Sequence, residues 1–130
     1  MEEITNRMKR EISDWKLSLA TMSEENNQMK TRLSDMLQEN FDINLLPQVE
    51  NFYSHLLTEE EFINLLRHNI GELDNFITGE DRLNLNKNRF DNMCLTLRSQ
   101  MQTASIRLTK LKSDFNDFFQ QGRIVPFHTE

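Results

Sequence analysis

Apolar residues recur along most of this chain at alternating intervals of three and four positions. In the first stretch Ile12, Trp15, Leu19, Met22, Met29, Leu33 and Met36 keep that rhythm, with Asn26 as its one polar member. Such spacing lines up one stripe of an α-helix in heptads, whose a and d positions form a helix–helix seam. With Ile12 at a, Leu19, Asn26 and Leu33 also fall at a, and Met8, Trp15, Met22, Met29 and Met36 at d. The flanks are charged: Lys9, Lys16 and Lys30 at e, Glu11 and Glu25 at g. This predicts a helix over 3–38, roughly 50 Å long at about 1.5 Å per residue.

The rhythm lapses between Glu39 and Asn44 and resumes through Leu45, Val49, Phe52, Leu56, Ile63, Leu66, Ile70, Leu73 and Ile77, with Glu59 as the intruder. Asn44 reads as an N-cap, with Pro47 in the first turn, where its missing N–H costs nothing. Gly79 reads as a left-handed C-terminal residue, so the second helix spans 44–78. Leu46, Tyr53, Phe62 and Phe76 widen its stripe, as suits a helix touching two neighbours. Thr58 and Glu61 match a capping box, which allows a break. Because the heptad phase runs unshifted from Leu56 to Ile63, a continuous or mildly bent helix is the preferred reading, with a kink exposing Glu59.

A third helix is predicted over 81–121. Asp81 caps it, and Leu83, Phe90, Cys94, Leu97, Met101, Ala104, Leu108, Leu111, Phe115 and Phe118 form its stripe. Gly122 stops it, and Pro126 bars the tail 123–130 from helix. The tail packs over the bundle end, stays disordered, or docks on another chain.

Three helices of similar length with short connections predict an all-α, elongated up-down-up antiparallel bundle with coiled-coil-like packing, residues 1–122 forming one domain. Charge adds a pairing preference. From Phe41 to Gly79 there are one basic and seven acidic residues, and from Glu80 to Glu130 eight basic and six acidic. An acidic second helix should therefore face a mildly basic third.

Composition narrows the function classes. Three Gly and two Pro argue against β-hairpins, and a 37% hydrophobic fraction with 28% charged residues suits long helices with narrow seams. A net charge of −6 repels phosphate backbones and anionic lipid, so neither nucleic acid nor membrane is expected as a partner. No apolar run is long enough to span a bilayer, and no apolar signal core follows Met1. One cysteine, Cys94, permits no intramolecular disulfide. A cytoplasmic location is expected.

Candidate chemistry is sparse. His55 with Glu59, and His68 with Glu72, each put an imidazole and a carboxylate one turn apart, a spacing able to ligate metal. A di-iron motif would need a carboxylate three residues ahead of each histidine, where Phe52 and Leu65 stand. Solvated His–Glu pairs are the preferred reading. Asn26 either fixes register through a polar partner or lies at an exposed edge. The Met row with Trp15 reads as core, with a plastic partner surface as the alternative. Cys94 reads as a small buried hydrophobe, and Arg107, Lys110 and Lys112 as a solvated basic face. No Gly-rich phosphate loop, nucleophile elbow or Cys-x-x-Cys pair exists. The expectation is a protein without catalytic, cofactor or metal residues that works by protein–protein interaction or scaffolding, through a partner or self-association. The alternative is a metal- or ligand-binding bundle using His55, Glu59, His68 and Glu72.

Overall fold

A computed structural model describes residues 2–39, 42–79 and 87–128, with side chains described for 6–39, 42–79 and 88–120. It contains α1 (Glu2–Gln38), α2 (Leu46–Thr78) and α3 (Lys87–His128), with a 3₁₀ turn (Ile43–Leu45) leading into α2. No strand occurs among the described residues, and every pair of helices is in contact, so the molecule is a three-helix bundle. The proposed cap Asp81 and the seam residue Leu83 lie outside the described residues.

The predicted stripes form one core. Met8, Ile12, Trp15, Leu19, Met22, Met29 and Leu33 of α1 are buried against the a and d residues of α2 and α3, with Met36, Phe52, Phe62 and Phe76 half-buried around them. The methionine row is therefore core. Antiparallel and parallel registers are legible in the cross-helix pairs. Lys16 pairs with Asp74 and, two heptads later, Lys30 with Glu60, so α1 and α2 run opposite ways. Glu11 pairs with Arg98 and Glu25 with Lys112, both 87 positions apart, so α1 and α3 run the same way. The chain goes up, down and up.

An aromatic cluster closes one end of the bundle. Where α1 finishes and α2 begins, Phe52 lies edge-on to Phe115 at 5.7 Å and beside Phe118 at 5.0 Å, and Phe115 stacks on Phe119 at 5.9 Å. The Arg32 guanidinium covers this cluster, 4.1 Å from the Phe119 centroid and 5.3 Å from that of Phe115. Toward the other end the Cys94 thiol rests 3.4 Å from the Met8 sulfur.

Several local expectations are corrected. Asp42, not Asn44, supplies the cap: its carboxylate accepts from the Asn44 N–H at 3.0 Å and starts the 3₁₀ turn, leaving α2 to begin with Pro47 in its first turn and no side-chain cap. A preceding turn supplies the order that a cap would otherwise provide. Gly79 is extended, with φ −82° and ψ 175°, and its N–H still donates to the Asn75 carbonyl at 2.8 Å. No described residue has positive φ. Thr58 caps nothing: its hydroxyl donates back to the Ser54 carbonyl at 3.1 Å inside an uninterrupted α2.

The third helix also ends later than predicted. α3 continues through Gly122 and Pro126 to His128. Glycine in a helix costs about 1 kcal/mol and a proline removes one hydrogen bond, and neither stops a helix whose nucleation cost is already met by more than thirty preceding residues. Segment 123–128 is thus helix, not a separate tail.

Candidate functional site

Most of the charged groups that tie the helices together sit beside the seam, at positions e and g, and the bundle assigns each flank a neighbour. The e flank of α1 meets the e flank of α2, the g flank of α1 meets the e flank of α3, and the g flanks of α2 and α3 meet each other. Antiparallel helices meet through like letters and parallel helices through unlike ones, as heptad geometry requires.

Along the α1–α2 flank Lys16 bonds Asp74 at 2.8 Å and Lys30 bonds Glu60, with Ser23 and Arg67 lining one recess between them. Along the α1–α3 flank Arg98 grips Glu11 with two bonds of 2.6 and 2.9 Å, Lys112 bonds Glu25, and Ser18 and Ser105 share the recess between. The bond to Glu11 also raises the Arg98 pKa. Along the α2–α3 flank Arg107 lies 5.0 Å from the Phe62 ring centroid, Asn69 and Gln100 line one recess, and His55 and Asp114 another. The acidic second helix therefore takes most of its cations from α1, not from α3 as its charge balance suggested. The reason is geometric: in this bundle the e flank of α2, with Glu60 and Asp74, turns to α1, and only the g flank faces α3.

Two polar residues occupy the seam itself. Asn26 is 1% exposed, and its amide donates to the Leu56 carbonyl at 2.9 Å while its own oxygen has no partner in the protein. The exposed-edge alternative is excluded, and the amide ties α1 to one level of α2. Glu59 is also buried, against the expectation of a kink that exposes it, and its carboxylate pairs with Arg107 at 2.7 Å. A carboxylate withdrawn from water needs such a cation. Arg107 sits at g of α3, so it reaches the d residue of α2 across the seam and stacks on Phe62 on the way. It belongs to the packing, as does Lys112, and the solvated basic face shrinks to Lys110. Heptad lettering of α3, applied to Arg107 as it was to the lysines of α1, carries the signal that finds this pair.

The proposed metal ligands do not converge. Glu59 is held by Arg107, His55 is exposed, and His68 meets Glu72 at 3.5 Å as an exposed pair on one helix. No group of three or more His, Cys, Asp or Glu side chains among the described residues is placed to hold a metal ion. Cys94 is buried, and burial raises its pKa, which outweighs the opposing pull of Arg98. The thiol is accordingly the protonated, poorly nucleophilic form. No described helix is long and apolar enough to cross a membrane.

Several large apolar side chains also stand on the surface. Leu17 is 71% exposed, Leu95 and Ile106 61% each, and Leu65 50%, all at outward heptad positions where nothing in the bundle covers them. Compared with known proteins, the chain matches no family model, no curated protein and no solved structure.

Proposed function

We propose that this chain is a non-enzymatic helical-bundle protein that acts by protein–protein interaction, as a scaffold or by association with its own copies, in the cytoplasm. One observation carries the reading: leucine and isoleucine side chains, at Leu17, Leu65, Leu95 and Ile106, stand exposed on the outer faces of the bundle. Apolar side chains at outward heptad positions gain free energy only when another surface covers them. The acidic surface makes nucleic acid and anionic membrane poor partners.

Size-exclusion chromatography with light scattering over a wide concentration range, together with cross-linking in extracts of the source cell, tests this. A concentration-dependent rise in mass or a specific cross-linked partner is the expected result. A chain that stays at 15.5 kDa at every concentration and cross-links to nothing would overturn it.

A further inference from the structure

α3 carries a second stripe on the side away from the core. Its b and f positions from Asn92 to Gln120 recur at intervals of three and four, all are exposed, and none is Asp, Glu, Lys, Arg or His. In a chain that is 28% charged, these outward positions are the ordinary place for charge. On the other helices charge interrupts the equivalent positions, at Arg10 and Glu24 on α1 and at Glu50 and Glu61 on α2. Leu95 and Ile106 stand within the uncharged stripe of α3, separated by Ser99 and Gln102.

We propose that two copies of the chain associate through this stripe, α3 against α3, antiparallel about a two-fold axis between Ser99 and Gln102. The proposal rests on the interaction reading above and names its partner and face. A two-fold contact must be complementary to itself. Turned about that axis, Leu95 falls opposite Ile106 of the second copy, Ser99 opposite Gln102, and Asn92 opposite Thr109. Apolar meets apolar, and hydroxyl meets amide.

Charge points the same way. Two molecules of net charge −6 repel over most approaches, and the b and f stripe of α3 from Asn92 to Gln120 brings no ionised group to the contact. The antiparallel sense opposes the two helix dipoles. Arg89 and Lys110 meet only at the rim, where salt screens their repulsion. With two large apolar anchors per copy, the contact is a weak one.

Sedimentation of the full chain from about 1 µM to about 1 mM, the range in which so small a contact dissociates, tests this directly. The mass should climb from 15.5 kDa toward twice that value. Leu95→Glu should remain at 15.5 kDa with an unchanged melting temperature, since the side chain lies outside the core. Leu95→Glu combined with Ile106→Lys should regain the dimer, because the new carboxylate then faces the new ammonium across the axis. Parallel pairing would instead set like charges together. A wild-type chain monomeric throughout, or a double variant that stays monomeric, overturns the proposal. A dimer that survives Leu95→Glu also overturns it, yet leaves the broader interaction reading intact, as does a monomer that cross-links to another protein.

Discussion

The buried ion pair between Glu59 and Arg107 predicts that its two halves respond to removal with opposite sign. The Glu59 side chain is 9% exposed, whereas Arg107 keeps 42% of its surface in water. Arg107→Met therefore strands a desolvated carboxylate in the seam. Breaking a fully buried pair costs about 3–5 kcal/mol, and the half-open position of Arg107 reduces this to about 2–3 kcal/mol, of which the lost stacking on Phe62 supplies about 0.5–1. Glu59→Leu does the reverse. It continues the apolar d row between Phe52 and Leu66, buries a side chain worth about 1.5–3 kcal/mol, and leaves Arg107 free to hydrate while still resting on Phe62. The net effect should lie between neutral and about 2 kcal/mol of stabilisation. Urea unfolding followed by far-ultraviolet circular dichroism measures both. Arg107→Met should lower the midpoint by about 1 M or more, and Glu59→Leu should leave it unchanged or raise it, at constant m. The double variant should recover most of the loss, as expected for coupled neighbours. Equal losses from both single substitutions would refute the argument, since the carboxylate would then contribute more than its burial costs.

Four further outcomes follow from the same geometry. Asn26→Leu removes an amide whose oxygen is unpartnered and extends the apolar a row, so the melting temperature should rise by a few degrees, about 1–2 kcal/mol for a chain of this size; a fall would show that the bond to Leu56 outweighs the unpartnered oxygen. Cys94 should react with iodoacetamide at least about tenfold more slowly in the folded than in the urea-unfolded protein, as a buried thiol with a raised pKa must. Because the folded thiol titrates above its unfolded value, this group's contribution is fully present below the ordinary thiol range and is lost as pH rises from there through the raised folded value, which a pH series of melts would detect. Glu11→Lys should destabilise by about 0.5–1 kcal/mol at low salt and be rescued by Arg98→Glu, with both effects shrinking in 1 M salt.

Helix number, the described residues of each seam and the core membership of the methionine row followed from heptad spacing, because a three-four rhythm leaves a helix only one apolar side to bury. Helix ends were less legible. Asp42, Gly79 and Pro126 behave as they do because a short preceding turn, an extended exit and a well-nucleated helix each override the local preference of one residue. The surroundings of His55, Glu59, His68 and Glu72 were less legible for another reason: residues one turn apart on a helix share a face, but whether that face meets a cation, a ring or water depends on the neighbouring helix.

That neighbour is what the tertiary structure alone decided. Heptads specify which side of each helix is buried, and they read the same whether the third helix returns to the left or to the right of the first two. In the observed hand Lys16 and Lys30 reach Asp74 and Glu60, and Glu11 and Glu25 reach Arg98 and Lys112. The opposite hand at the same register would bring the e flanks of α2 and α3 together, setting Arg67 level with Arg98 and Asp74 with Asp91. Hydrophobic burial is indifferent between the two arrangements, since it depends on area and not on direction, whereas charges flanking the seam discriminate by sign and position. The stripes thus belong to the sequence, and the assignment of Glu59 to Arg107, like that of every flank to its partner, belongs to the assembled bundle.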